Sequence, residues 1–362
     1  MAEGSKPPGV VVVGTGFGCR VHVPAARAAG FEIAAVVGRD RERTERRAAK
    51  VGVDAVCTSL ADALKLPNAD VVVISTPPTT HADLAEEAIA AGRHVLVEKP
   101  FTTNAAEARH VTDAAAKAGV TALVGHEFRF ARERVTMRQA IRDGLVGEPR
   151  LVALVGHSSF AAPLDVSLPR WWFDPSSGGG WLGAAVSHIV DATRCWLGDF
   201  ASVSAVLPMA SDRDIATQAE DTVSARFTLT SGCEGVMQQS AGTWGEPVNV
   251  MRVAGPKGTV SIGADGVRFG DAEGTRPLPY TGPPPPVELE ESDDPRHRFT
   301  HLELAPAIVQ AGILRDLAQG RSPEYDIVPP ATFADGVACM DVLDAMRESS
   351  RLGGATVSIG RP

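Results

Sequence analysis

The chain has 362 residues, 44% hydrophobic and 22% charged, which suits two packed domains and excludes wholesale disorder. Lys and Arg total 35 against 44 Asp and Glu, so the net charge is −9. An acidic chain of this kind is a poor match for phosphate backbones or anionic lipid, and neither nucleic acid nor membrane is an expected partner.

The first third alternates strand and helix patterns. "GVVVVG" is a short β-branched run ending in glycine, as in a buried parallel strand, and "VHVPAARAAG" reads as a helix closed by Gly30. "FEIAAVVG" and "RDRERTERRAAKVG" repeat the pair. "DVVVISTPP", "THADLAEEAIAAG", "RHVLVEKP", "AAEARHVTDAAAKAG" and "VTALVGHEF" continue it. Repeated units of this length predict a doubly wound parallel sheet.

After about Phe128 the rhythm changes. A helix, "RERVTMRQAIRDG", precedes longer strand-like runs: "RLVALVGHSSF", "SVSAVLPMA", "TVSARFTLTSGCEGVMQQSAG" and "NVMRVAGPKGTVSIG". Glycines at hairpin positions suit a mostly antiparallel sheet in the remainder of the chain. "GGGWLGAAVSHIVD" interrupts these strands with a glycine run and a helical pattern. "PLPYTGPPPPVELEESDDP" is expected to be a surface loop, followed by helices from about Thr300 to Gln319 and from Pro330 to Arg351.

Cys19, Cys57, Cys195, Cys233 and Cys339 are odd in number and form no CxxC pair. This argues against a disulfide framework or zinc site and for a reducing compartment. No metal is expected. "MAEGSKPPG" leads straight into a strand, with no signal peptide or apolar span, so the expected location is the cytoplasm.

Gly14, Thr15, Gly16, Phe17 and Gly18 follow the first strand and open the first helix. Glycines there permit a tight turn and let a pyrophosphate reach unpaired N–H groups at the helix start, which predicts dinucleotide binding. At the end of the second strand, where NAD sites place an acid for the ribose 2′-hydroxyl, the chain has Gly38, then Arg39, with Arg43 a turn later. Guanidinium groups can bind a 2′-phosphate, which favours NADP. The nearby Asp40 keeps NAD open as the alternative.

"GTGFGCRVHVPA", "VVVISTPPTTHADLAEEAIAAGRHVLVEKP" and "GHEFRF" together resemble the Gfo/Idh/MocA oxidoreductases, the family of glucose-fructose oxidoreductase and inositol dehydrogenase. The likeness extends through "GLVGEPRLV" and "GGGWLGAAVSHIVD" to "ACMDVLDAMRESSRLGGATVSI". It implies a Rossmann domain over residues 1–127, a second α/β domain over residues 128–362 with a large, mostly antiparallel open sheet, and NAD(P)-dependent oxidation or reduction of sugars, polyols or related small molecules, in homodimers or homotetramers packed through that sheet. It also implies cofactor contacts from Ser75, Thr76, Pro77, His81, Glu98 and Lys99. The lysine of the family's EKP motif corresponds to Lys99. Its Asp-x-x-x-His pair falls on Ala184 and His188, so the histidine is kept and the aspartate is not.

Lys99 and His188 are therefore the expected catalytic pair. A strand-end ammonium can hydrogen-bond a substrate oxygen and stabilise developing charge, and an imidazole can act as base in one direction and acid in the other. Asp191, three residues beyond His188, either orients the imidazole or pairs elsewhere. Trp171 and Trp172, with Arg170, are candidates for a wall on which a sugar face stacks. His126, Glu127 and Arg129 are candidates for hydroxyl contacts. Two other readings stay open: a glycosidase-like enzyme that uses bound NAD for transient sugar oxidation, and a catalytically silent NAD(P)-binding regulator.

Overall fold

The computed structural model describes residues 6–166, 168–214, 218–282 and 295–360. The chain opens with β1 (Gly9–Val13) and a π-helical turn, Gly18–His22, running into α1 (Val23–Ala28). There follow β2 (Glu32–Val37), α2 (Arg41–Ala49), β3 (Val56–Cys57) and α3 (Leu60–Ala63). Next come β4 (Val71–Ile74), α4 (His81–Ala90), β5 (His94–Glu98), α5 (Ala105–Ala118) and β6 (Ala122–Gly125). The chain then forms α6 (Arg132–Arg142), β7 (Leu151–His157), a second π-helical turn, Leu182–Val186, and α7 (Ser187–Leu197). β8 (Phe200–Val206), β9 (Thr222–Leu229), β10 (Glu234–Ser240) and β11 (Val248–Gly255) precede β12 (Gly258–Gly263), β13 (Gly266–Asp271) and β14 (Gly274–Pro277). The last elements are α8 (Pro295–Ala318), α9 (Phe333–Arg351) and β15 (Val357–Ser358).

The first compact unit contains the residues through Thr102, Ala106–Ala131 and the described part of Pro283–Gly336. Its sheet is parallel throughout, in the order β3-β2-β1-β4-β5-β6. That is the doubly wound order, with the switch point between β1 and β4. Strands covered on both faces need apolar side chains on both, and Val10, Val11, Val12, Val71, Val72 and Ile74 are all fully buried.

A boundary at 127/128 misses the chain's return to this unit. The reason is visible at β6, the sheet's last strand. Gln310 on α8 donates to the Val124 carbonyl at 2.7 Å, and Val124 N–H donates to the Ala331 carbonyl at 2.8 Å. Residues 330–332 are thus tied to the sheet, and α9 starts at Phe333 rather than at Pro330.

The second unit contains Thr103–Ala105, Arg132–Gly282 and the described residues from Val337 onward. Its nine strands run β14-β13-β12-β11-β7-β10-β9-β8-β15, antiparallel except where β7 pairs with β10. One face is core: Leu154, Phe227, Met237 and Val253 are at most 1% exposed. Their neighbours in sequence point the other way, the period-2 alternation of a half-covered sheet. "TVSARFTLTSGCEGVMQQSAG" forms two strands, because Gly232 takes a left-handed φ of +85° and turns a hairpin. The short β3 and β15 and the β13–β14 hairpin were not anticipated; β14 is exposed along its whole length and so lacks an apolar pattern. α8 begins at Pro295, earlier than expected, and the expected acidic loop lies mostly outside the described residues.

Candidate functional site

The glycine-rich turn has the shape a dinucleotide needs. Gly14 has φ +112°, and a Cβ there would collide with the Ser75 carbonyl at the end of β4. A Cβ on Gly18 would lie 2.7 Å from Ser75 Oγ and 2.8 Å from Val12 Cγ1, so Gly18 lets the helix start pack against the sheet. At Gly16 a Cβ would meet nothing within 4 Å, and this exposed position leaves the backbone open to an approaching phosphate. The three roles fall on Gly14, Gly16 and Gly18. Thr15 Oγ1 accepts a 3.0 Å hydrogen bond from Arg47, a contact the sequence reading did not foresee.

At the end of β2, a Cβ on Gly38 would strike the side chains of Thr44 and Thr15. A carboxylate there would require Thr44 and Thr15 to move. Asp40 caps α2 instead, accepting the Arg43 N–H at 2.8 Å. Arg39 and Arg43 are both exposed, and among the described residues neither forms an ion pair.

The carboxyl end of β5 carries Glu98 and Lys99, on the same sheet edge as the turn after β1. Glu98 was expected to contact cofactor but points inward. Its Oε1 lies 2.8 Å from His22 Nε2 and its Oε2 accepts the Lys99 N–H at 3.1 Å. Burial pushes the Glu98 carboxyl up, but the His22 hydrogen bond and the nearby Lys99 charge outweigh it and hold the group below the ordinary carboxylate range. Glu127 behaves oppositely. Its burial, with the Glu98 charge adding to it, lifts its carboxyl well above that range.

Two further expectations change with the structure. His81 is 1% exposed, its ring held between the Thr76 carbonyl and those of Pro100 and Phe101. It braces the loops after β4 and β5, and burial pushes its pKa down. Arg129 is also buried, directed at the Pro329 carbonyl (3.2 Å) and the Asp335 carboxylate (3.3 Å), so its expected hydroxyl contact gives way to a structural one. His126 is 1% exposed just before the 3₁₀ turn Glu127–Phe130. Ser75, Thr76 and Pro77 form the loop at the end of β4, where Ser75 Oγ donates to the Val13 carbonyl at 3.2 Å.

In the second unit the glycine run leads into the π-helical turn that holds Ala184, then into α7 with His188 and Asp191. Inserted π turns recur at functional sites. Ala184, His188 and Asp191 are 2%, 5% and 1% exposed, so the helix turns all three away from solvent. Arg134 Nη1 donates to the His188 carbonyl at 3.1 Å, anchoring the first turn of α7 to α6. Trp171 and Trp172 lie in the 3₁₀ turn Arg170–Phe173 and join Phe160 and Trp181 in an aromatic cluster with ring centroids 5.5–6.1 Å apart. Arg170 is exposed.

Sequence reasoning missed Glu220. Its backbone carbonyl accepts the Trp181 N–H and its Oε1 accepts the Leu182 N–H at 3.0 Å, directly under Gly180. Burial raises its carboxyl to about 7. Any side chain at Gly180 would displace that carboxyl, so the glycine run is fitted to a distant residue.

Comparison with known proteins decides the family. The description "Oxidoreductase family, NAD-binding Rossmann fold" matches residues 9–126, and the GFO/IDH/MocA C-terminal domain matches residues 135–261. The chain belongs to the Gfo/Idh/MocA oxidoreductase family. D-apiose dehydrogenase of Paraburkholderia graminis is 29% identical to this family member over 290 residues, 76% of this chain and 72% of that protein. 1,5-Anhydro-D-fructose reductase of Ensifer adhaerens is 33% identical over 178 residues, 49% of this chain and 52% of that protein. A levoglucosan dehydrogenase, solved with NADH and levoglucosan, superposes with a TM-score of 0.81 over 98% of this chain and 100% of its own, at 19% identity. The chain is thus an oxidoreductase with an NAD-binding Rossmann domain. No helix long and apolar enough to cross a membrane occurs among the described residues of this oxidoreductase.

Proposed function

We propose that this oxidoreductase transfers a hydride between NADP and a hydroxyl or keto carbon of a sugar, glycoside or cyclitol, with Lys99 and His188 handling the proton. The observation that carries the reading is the shared sheet edge, where Lys99 follows β5 and the glycine turn follows β1. Ligands of doubly wound sheets bind at that carboxyl edge. Relatives that act on apiose, anhydrofructose and levoglucosan support the substrate class.

A bound nicotinamide supplies the hydride acceptor or donor. Gly14, Thr15, Gly16, Phe17 and Gly18 would hold the dinucleotide's pyrophosphate, and Arg39 and Arg43 its 2′-phosphate. Lys99 donates a hydrogen bond to the substrate oxygen and stabilises charge as it develops there. His188 takes up or returns the proton, with Asp191 three residues on in α7. Trp171 and Trp172 offer the flat apolar surface that sugar faces favour.

Ala184 favours one competing reading, a regulator that binds cofactor without turnover. A panel of sugars, glycosides and cyclitols, mixed with protein and NADP or NAD, separates the readings by the reduced-nicotinamide absorbance. Net reduction supports the dehydrogenase. Glycoside cleavage without net reduction indicates transient oxidation, and nucleotide binding without turnover indicates the regulator.

For the cofactor, Arg39→Ala weakens NADP by about tenfold or more, the scale of a lost charge-assisted hydrogen bond, and leaves NAD within about twofold. Equal losses for both nucleotides, measured by titration calorimetry, would reverse the assignment.

The open face of the nine-stranded sheet supports a homo-oligomer. Leu151, Val236 and Val250 project from β7, β10 and β11 with exposures of 62%, 51% and 38%. Val236→Lys places a charge on that face, and light scattering then reads a monomer where the wild type reads a dimer or tetramer.

A further inference from the structure

His22 belongs to none of the roles above, yet it is 7% exposed and ends the π-helical turn that begins at Gly18. From there its ring reaches the carboxylate of Glu98. The two oxygens of that carboxylate divide their work: Oε1 meets His22 at 2.8 Å, and Oε2 accepts the backbone N–H of Lys99 at 3.1 Å. The slot is shaped for this bridge. A Cβ on Gly125, the neighbouring residue of β6, would stand 2.7 Å from Oε1 and 2.9 Å from Cδ. On its other side the His22 ring packs edge-on against Phe17 at 5.2 Å, inside the glycine-rich turn. One line of contacts therefore runs from the nucleotide turn through His22 and Glu98 to the backbone of Lys99.

We infer that His22 is a positioning residue, which acts through Glu98 to fix the backbone of Lys99 and to keep an anion beside its amine. The inference rests on the reading of Lys99 as the proton-handling lysine. The other charged groups facing this corner are Glu127 after β6, Glu303 and its partner Arg20 (2.9 Å), and His81 at the start of α4. Burial lifts the carboxyls of Glu127 and Glu303, and that of His81 favours its neutral ring. Glu98 alone among these carboxyls is drawn down. Without a donor from His22, a buried Glu98 takes up a proton, and the amine loses its anion.

Pulse labelling with acetic anhydride across a pH series, read by mass spectrometry of the Lys99 peptide, tests this on the full-length protein without any substrate. His22→Leu lowers the pH of half-maximal Lys99 labelling by about one unit, the scale of one lost neighbouring charge. His22→Gln, whose amide N–H reaches the Nε2 position, restores the wild-type curve. The exposed Lys50 and Lys117 label identically in every variant. Should His22→Leu not fold, Glu98→Gln produces the same downward shift. A Lys99 curve that is unchanged in His22→Leu or Glu98→Gln, or shifted equally in His22→Leu and His22→Gln, overturns the inference. Unchanged turnover in Lys99→Ala overturns instead the reading on which it rests.

Discussion

Lys99→Ala lowers turnover by about 10²- to 10⁴-fold, the contribution expected of a group that bonds the reacting oxygen and shares its proton, and leaves nucleotide affinity within about twofold. The split follows from placement. The pyrophosphate turn is built from backbone between Gly14 and Gly18 and does not need the lysine side chain, whereas Lys99 stands at the carboxyl end of β5. Lys99→Arg separates charge from shape: it keeps the cation but replaces a compact ammonium with a broad planar group, and recovers little of the lost rate. Nucleotide affinity is read by fluorescence titration and turnover by nicotinamide absorbance on the same samples. A variant that loses nucleotide binding as steeply as turnover would make Lys99 a cofactor anchor instead.

Glu220→Gln makes the protein more resistant to heat at pH 8 and hardly alters it at pH 5. Glu220 has a carboxyl raised to about 7 by burial, against an ordinary value of 4.5. Between those values the folded chain keeps a proton that the unfolded chain releases, so stability falls as pH rises through this window and is level above it. The ceiling on that loss is about 3 kcal/mol, from a shift of two to three units. The amide of Gln still accepts the Leu182 N–H that Glu220 Oε1 accepts at 3.0 Å, but has no proton to lose. Melting temperatures of the two proteins, measured from about pH 5 to about pH 8, diverge by several degrees at the basic end. Parallel curves would show that this carboxyl is already ionised in the folded protein. Because Glu220 holds the turn that leads to α7, the same titration is expected to loosen the start of the helix carrying His188.

Much of this was legible from the residues. Buried parallel strands announce themselves as unbroken apolar runs such as Val10–Val13, and the glycines after them need no partner elsewhere to be recognised. The second sheet was legible as a class because buried and exposed positions alternate, although β14, with no buried side, left no pattern to read. What stayed hidden depends on long-range pairing. Nothing near Glu98 in sequence announces His22, 76 residues away, and nothing in the glycine run announces Glu220, 38 residues beyond Leu182. Arg129 and His81 were misread for the complementary reason. A polar residue beside a motif looks available until the fold supplies Asp335 or the Thr76 carbonyl to occupy it. The return of residues 295–336 to the first unit was equally out of reach, since it is decided by which strand edge α8 covers.

Isotope transfer shows whether hydride moves directly between a substrate carbon and nicotinamide in this protein. Perdeuterated sugars and glycosides are incubated with protein and NADP in ordinary water, and the reduced nucleotide is weighed by mass spectrometry. The wild type yields one carbon-bound deuterium per reduced nucleotide, and Lys99→Ala forms that species far more slowly. Reduced nucleotide without deuterium, or label arriving equally fast in the variant, would contradict the proposed mechanism.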